Sequence, residues 1–225
     1  MENSLRKSNR MDTKKLVVLA MLAAIAYITV TIFRIPVVEF LKYEPKDVII
    51  TIGGFLFGPV AAMLISAVVS IIEMVTISDT GPIGALMNFL STVSFACTAS
   101  IVYKKIHTIK GAVIGLVTGS VVMVVVMLAW NYLITPLYMG VPREVVAGML
   151  LPTFLPFNLL KTVLNSAITM LLYKPLSMVM RKAHVLPETA SASTEGSHIK
   201  RYAFVYVIAI FIIATCAAVI YFLNK

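Results

Sequence analysis

Long apolar runs separated by short polar segments dominate the chain. A membrane-spanning helix needs about 20 apolar residues, because about 30 Å of hydrocarbon is crossed at about 1.5 Å per residue. Five runs meet this length or come close to it: 16–33, 84–103, 109–134, 152–173 and 202–223. The pattern predicts an all-α integral membrane protein.

A sixth apolar stretch, from Val48 to Ile77, is too long for one untilted helix. As a single helix it would extend about 45 Å. Gly58-Pro59 stands near its middle, and proline lacks a backbone donor and disfavours helix in the residue before it. The stretch therefore predicts two short helices, 48–57 and 60–77.

The distribution of positive charge favours this count of spans. Basic clusters lie before the first run, at Lys104/Lys105/Lys110, and at Lys174/Arg181/Lys182. Basic loops are typically cytoplasmic, and two short helices place all three clusters on that side. The segments 34–47, 78–83 and 135–151 then become outer loops.

These patterns predict four parts in the chain. They are a cytoplasmic N-terminal segment 1–15, a six-span substrate-binding domain 16–182, a flexible cytoplasmic linker 183–199 and an additional transmembrane helix 200–225. The linker is rich in Ser, Thr and Ala, which is typical of a flexible connection. The fold class is thus a six-helix bundle with one appended C-terminal transmembrane helix.

Composition and charge narrow the function. The chain is 60% hydrophobic and 13% charged, whereas soluble domains are about 45–50% apolar and about 25% charged, so a soluble enzyme is excluded. The net charge of +9 comes from short clusters without interleaved aromatics, so no nucleic-acid partner is expected. Cys97 and Cys216 lie in apolar runs and offer neither a disulfide framework nor a zinc site; no metal is expected.

The strongest candidate site lies on the sixth span. Asn158, Lys161 and Asn165 fall on one helical face, and polar groups within the membrane usually face the protein interior or a cavity. Together they could read the carbonyl and N–H groups of a neutral heterocycle such as an imide. The alternative is a snorkelling lysine with two asparagines that hold helices together.

Other candidates lie near the outer ends of the spans. Trp130 and Asn131 could stack on and read a planar ligand, although aromatic residues are common at the membrane interface. The charged segment 40–47 could form a lid, while Asp47 is also placed to cap a helix. The glycines of 79–88 allow close backbone approach to a ligand, as would an ordinary turn.

Small residues recur at helical spacing on two spans. Gly111, Gly115 and Gly119 form one ridge, which favours close packing within the bundle. Ala20 and Ala24 form another, which is a candidate docking surface for a second membrane protein.

Enzymatic activity has little support in the sequence. No phosphate-binding GxxxxGK[ST] loop, HExxH or GxSxG motif is present, so the chain cannot hydrolyse ATP by itself. A membrane enzyme acting on a lipid or isoprenoid remains a minor alternative, and Glu73 is the one acidic residue inside a predicted span.

Taken in order, several motifs resemble a known family over about residues 12–182. They are YEPKD at 43–47, FLFGP at 55–59, GPIGALMNFLST at 81–92, WNYLITPLYMG at 130–140 and PFNLLK at 156–161. The family comprises the substrate-binding (S) components of energy-coupling factor (ECF) vitamin transporters, particularly the riboflavin-specific RibU type.

The resemblance implies a high-affinity riboflavin-binding subunit of the bacterial cytoplasmic membrane, with its N-terminus cytoplasmic and riboflavin as ligand rather than cofactor. It also implies a transmembrane coupling protein and two cytoplasmic ATPases as partners, with membrane lipid around the helices. The matching ligand positions are Gly84, Met87, Asn88, Asn131, Asn158 and Lys161, to which we add Tyr43, Asp47, Trp130 and Asn165 as candidates. Ala20, Ala23 and Ala24 match the face that meets the coupling protein.

The appended helix departs from the six-helix pattern of the family. It is either an additional anchor or an element with a role of its own. An S component or carrier for another vitamin or small solute is the alternative to riboflavin uptake.

Overall fold

The computed structural model describes residues 13–38, 41–78, 80–182 and 195–223. Its elements in chain order are α1 Thr13–Ile32, β1 Ile35–Val38, β2 Leu41–Tyr43, α2 Lys46–Phe57, α3 Pro59–Thr76, α4 Gly81–Lys105, α5 Ile109–Met139, α6 Arg143–Met149, a π-helical turn Leu150–Phe154, α7 Leu155–Lys182 and α8 Glu195–Leu223. The predicted helical bundle is confirmed, and helices α1–α5 and α7 correspond in position to the six predicted core spans.

Most of these helices have the length of a membrane span. Five segments of the described chain are long and apolar enough to cross a bilayer: α1, α3, α4, α5 and the run Arg143–Leu176. Helix α2 is shorter, with 12 residues, whereas α8 has 29 residues and contains the apolar run 202–223. The protein is therefore a multi-pass membrane protein.

The predicted break in the long apolar stretch is confirmed. Helix α2 ends at Phe57 and α3 begins at Pro59. Gly58 between them has φ 94°, a left-handed conformation that residues with a Cβ rarely adopt. Pro59 occupies the first position of α3, where the missing N–H has no intrahelical partner to lose.

The prediction that residues 135–151 form an outer loop is wrong, because most of this segment is helical. Helix α5 continues to Met139 with Pro136 in its last turn. Because proline has no backbone N–H, one backbone hydrogen bond of the helix is missing there. Gly140, the residue that follows the helix, has φ 66°. Helix α6 begins at Arg143 and leads through the π-helical turn into α7, so only 140–142 remain as a connection.

The first predicted outer loop, 34–47, contains a β-hairpin. Strands β1 and β2 are antiparallel, with Ile35 opposite Tyr43 and Val38 opposite Leu41. The register shifts between Pro36 and Val38. Four- and three-residue strands carry too little alternation to be recognised from the hydrophobic pattern.

The glycine ridge of α5 packs against α4, as the packing interpretation predicts. A Cβ at Gly115 would lie 2.6 Å from the carbonyl oxygen of Ala99, and one at Gly119 would lie 2.6 Å from that of Phe95. Only glycine allows the two backbones to approach this closely. Gly111 lies instead beside Ile106 at the connection between the two helices.

Helix α8 lies against the bundle. It packs along α7 and also contacts β1. It begins at Glu195, before Lys200, where the sequence pattern predicts its start; residues 183–194 of the predicted linker lie outside the described part. Cys216 of α8 is buried and Cys97 of α4 is half-buried, and both are free thiols.

Candidate functional site

A cavity of about 110 Å³ lies between the hairpin and helices α4, α5 and α7. Polar, charged and apolar side chains alternate in its wall. The lining residues are Arg34, Leu41, Lys42, Glu44, Thr80, Met87, Asn88, Ser91, Met127, Asn131, Phe154, Phe157, Asn158 and Lys161. A mixed wall of this kind can enclose an apolar ring and hydrogen-bond its polar edge.

Helix α7 contributes the polar face predicted from its sequence. Asn158 and Lys161 line the cavity, and Asn165 lies one turn further along the same helix. All three side chains are buried. Asn158 donates to the carbonyl oxygen of Phe154 at 2.8 Å, at the end of the π-helical turn. Such turns are frequent at functional sites.

Helix α5 contributes a second asparagine, Asn131, to the cavity wall. Asn131 Nδ2 donates to the carbonyl oxygen of Met127 at 2.8 Å, and its Oδ1 accepts from Thr135 at 2.9 Å. In Asn131 and Asn158 alike, the bond to the preceding helical turn uses one amide hydrogen and fixes the side chain. The second hydrogen can be donated to a ligand.

Asp47 holds Lys161 in place from the start of α2. Its Oδ2 lies 3.2 Å from Lys161 Nζ, and its Oδ1 accepts from Thr92 at 2.6 Å. Lys161 Nζ also lies 3.3 Å from Ser91 Oγ. The alternative of a snorkelling lysine is wrong. The helix-capping role considered for Asp47 is also wrong, because the start of α2 has no side-chain cap.

Tyr43 and Asn165 extend this network behind the cavity wall. Asn165 donates to Asp47 Oδ2 at 3.2 Å and accepts at 2.8 Å from the Tyr43 hydroxyl. Burial, followed by the nearby Asp47 and Cys216, raises the pKa of Tyr43 well above its ordinary value. The phenol therefore stays protonated and can donate to Asn165.

A second ionic network lies beside the first. Lys46 pairs with Glu44 at 2.9 Å and with Glu73 through a short contact, and Asn88 donates to Glu73 at 3.3 Å. Glu44 also accepts from Arg34 at 2.9 Å. Lys46 and Glu73 are buried, so each needs the other as a counter-charge.

Glu44 bridges the cavity and the second network. Burial acts to raise the pKa of Glu44, but the charges of Lys46, Lys161 and Arg34 outweigh it and lower the pKa below its usual value. Glu44 is therefore ionised at neutral pH.

The structure brings together half of the sequence-derived ligand candidates. Met87, Asn88, Asn131, Asn158 and Lys161 line the cavity. The other five are absent from its lining. Tyr43, Asp47 and Asn165 support Lys161 from behind, Trp130 packs against the apolar core, and Gly84 fits against Thr80 in its own turn.

Sequence reasoning missed several polar residues of the two networks. Arg34, Lys46, Ser91 and Thr92 were not singled out. One signal was available: Glu73, the one acidic residue of its span, needs a buried cation as partner. The sequence alone did not indicate which of the basic residues would supply it.

The predicted docking residues lie on both sides of α1. Ala20 and Ala24 are exposed, next to the exposed side chains of Val17 and Met21. Ala23 is buried in the apolar core. Within the described part of the chain, no group of three or more His, Cys, Asp or Glu side chains could hold a metal ion.

Fold and cavity together define a membrane-embedded binding protein, in which a bundle of helices encloses a small polar site. A family model described as the ECF transporter, substrate-specific component, matches residues 14–173. The chain belongs to this family. It is therefore a transporter subunit rather than an enzyme.

Similar proteins agree with this assignment. The riboflavin transporter RibU of Staphylococcus aureus is 30% identical over 80% of this chain and 99% of its own length. The riboflavin transporter FmnP of Bacillus subtilis is 28% identical over 78% of this chain and 100% of its own length. A solved S component of a bacterial ECF transporter is 30% identical, with a TM-score of 0.65 over 76% of this chain and 99% of that chain.

Proposed function

We propose that this chain binds riboflavin in the cavity between the hairpin and α4, α5 and α7, as the recognition subunit for riboflavin uptake. The observation that carries the proposal is that two buried amides, Asn131 and Asn158, and the buried cation Lys161 line the same cavity. The relatives named as riboflavin transporters align over almost their whole length, which supports this choice of ligand.

The donors match the chemistry of a flavin ring. Its imide edge carries two carbonyl oxygens with an N–H between them, so it needs two donors and one acceptor. Lys161 supplies donors only, whereas an asparagine side chain supplies both kinds of group. Met87, Met127 and Phe157 offer apolar surface for the flat faces of the ring.

Binding of riboflavin requires the cavity to widen. Small-molecule pockets usually have volumes of about 300–1,000 Å³, well above the 110 Å³ of this cavity. The hairpin contributes Leu41 and Lys42 to the wall, and it is tied to the bundle by fewer elements than the helices are. We expect the hairpin to be the part that moves.

Riboflavin titration of the purified protein tests the proposal. Flavin fluorescence should be quenched on binding, and Asn158→Ala should weaken binding about 2- to 12-fold, the effect of losing one hydrogen bond. The neighbouring Leu159→Ala, at an exposed position of the same helix, is the matched control and should bind as the unmodified protein does. A folded protein that does not bind riboflavin but binds another vitamin would overturn the assignment.

The partners are proposed on the same basis. As an S component with no ATP-binding motif of its own, the chain would work with a transmembrane coupling protein and two cytoplasmic ATPases, in the bacterial cytoplasmic membrane with its N-terminus cytoplasmic. The exposed Ala20 and Ala24 are the proposed contact with the coupling protein.

A bulky residue on this face tests the contact. Ala24→Trp should abolish co-purification with the coupling protein and leave riboflavin affinity unchanged, because Ala24 is exposed and is not part of the cavity lining. Met21→Trp, where a large side chain is already exposed, is the milder comparison. Undiminished co-purification of Ala24→Trp would move the contact to another face.

A further inference from the structure

Helix α8 is the element that family membership does not explain. The family match ends at residue 173, whereas α8 runs from Glu195 to Leu223. Helix α8 packs along α7 and also contacts β1 of the hairpin. Lipid tails are as apolar as leucine side chains, so a helix that only anchored the chain would gain little from packing on the hairpin.

The C-terminal half of α8 contributes to an apolar cluster behind the cavity. Its buried side chains are Cys216 and Ile220, which are 9% and 8% exposed. They share the cluster with residues of the hairpin and of α7: Val37, Tyr43, Phe157 and Leu164. Leu41 packs against the same cluster.

This cluster forms the rear of the cavity wall. Phe157 and Leu41 belong to the cluster or pack on it, and both also line the cavity. A change in the packing of Cys216 or Ile220 therefore alters a cluster that also contacts the cavity. Close-packed interiors transmit displacements of this kind.

A polar route leads from the same cluster to the cation of the site. Tyr43 has its ring in the cluster, and its hydroxyl donates to Asn165. Asn165 donates to Asp47, which pairs with Lys161. A shift of the Tyr43 ring would move its hydroxyl group and thereby disturb the hydrogen bonds that connect it to Lys161.

We infer that α8 is a positioning element for the ligand site, in which Cys216 and Ile220 hold the hairpin and Tyr43 against α7. The inference rests on the proposed function, since its effect on the ligand is measured with riboflavin. The helix thereby restrains the hairpin wall of the cavity, which we expect to move, and loss of its packing allows the ligand to leave faster.

Ile220→Ala in the full chain tests this inference with two measurements. Hydrogen exchange of the hairpin amides should accelerate without any ligand, because the apolar backing of the hairpin is lost. The Kd for riboflavin should rise about 2- to 30-fold, the range for substitutions that modulate a site without touching its ligand. The increase should lie mainly in the dissociation rate.

Three variants serve as controls. Val219→Ala removes side-chain atoms at the adjacent, exposed position and should change neither measurement. Ile220→Leu conserves volume and should restore both. Cys216→Ala is a smaller change in the same cluster and provides the test if Ile220→Ala does not fold.

A double variant separates positioning from general loosening. If α8 acts through the hydroxyl of Tyr43, Ile220→Ala should weaken binding less in a Tyr43→Phe background than in the unmodified protein. If the effects of Ile220→Ala and Tyr43→Phe on the free energy of riboflavin binding are fully additive, α8 does not act through the Tyr43 hydroxyl, and this part of the inference is refuted.

The remaining outcomes are distinct. Unchanged hairpin exchange in both Ile220→Ala and Cys216→Ala would overturn the inference whatever the ligand is. Faster exchange with unchanged riboflavin affinity would overturn the link from α8 to the site. An unmodified protein that binds no riboflavin would overturn the proposed function, and the effect of α8 on that ligand would be refuted with it.

Discussion

The ion pair between Asp47 and Lys161 leads to a prediction in which one double variant recovers stability but not ligand affinity. Both side chains are buried, and their charged atoms lie 3.2 Å apart. Lys161→Met removes the cation and leaves Asp47 with Thr92 and Asn165 as neutral donors. Breaking a buried ion pair from one side costs about 3–5 kcal/mol, because the remaining charge is desolvated without a counter-charge.

The double variant Asp47→Asn/Lys161→Met removes both charges. Replacement of a whole buried pair by neutral side chains is often close to neutral, so the free energy of unfolding should return to within about 1–2 kcal/mol of the unmodified protein. Riboflavin affinity should not return. Loss of a charged donor to the ligand costs about 1.5–3 kcal/mol, which weakens binding about 10- to 150-fold in both variants.

Thermal unfolding in detergent and riboflavin fluorescence titration measure the two effects on the same samples. Lys104→Met, at an exposed position of α4, is the matched control and should alter neither. A double variant as unstable as Lys161→Met would refute the argument from the ion pair. A double variant with restored affinity would refute direct contact between Lys161 and the ligand.

Two further predictions concern packing and pH. Gly115→Ala should lower the free energy of unfolding by about 1–3 kcal/mol, because its Cβ would lie 2.6 Å from the Ala99 backbone. Gly148 has open space around it, so Gly148→Ala should not lower the free energy of unfolding. Equal effects of the two substitutions in unfolding assays would contradict the close approach of α4 and α5. Glu44→Gln should be less stable than the unmodified protein at neutral pH. Because the pKa of Glu44 is lowered in the folded protein, its ionised form stabilises the folded state above about pH 4.5. This stabilisation is lost as the pH falls through the folded pKa. The difference in unfolding temperature should narrow below about pH 4.5, and a difference independent of pH would exclude the ionic role.

Much of the helical architecture could be predicted, because its determinants are local. Gly58-Pro59 separates α2 from α3 through backbone chemistry alone, and the 3.6-residue period places Asn158, Lys161 and Asn165 on one face. The helical segment that follows Pro136 could not be predicted in this way. Its hydrophobic pattern is interrupted, and a proline near the end of a helix is locally indistinguishable from one in a loop.

The partners of the polar residues were beyond the reach of the sequence pattern. Periodicity shows that Lys161 faces inward, but Asp47 is its counter-charge only because the start of α2 packs against α7. The same holds for Lys46 and Glu73, which lie on consecutive helices and meet through the packing of α2 on α3. Tertiary contacts of this kind are set by the whole bundle rather than by neighbouring residues.

The balance of buried charge bears on the kind of ligand that the site accepts. Among the described residues of the two networks, the ion pairs match Arg34, Lys46 and Lys161 with Glu44, Asp47 and Glu73, whereas Lys42 in the cavity wall is exposed. A ligand with a net charge would disturb this balance in a poorly solvated site, whereas a neutral ring with a polar edge would not. Glu73, the acidic residue on which an enzymatic alternative depended, has Lys46 and Asn88 as partners within this balance. Its carboxylate thus stabilises the wall of a binding site, as expected for a transporter subunit that leaves its ligand chemically unchanged.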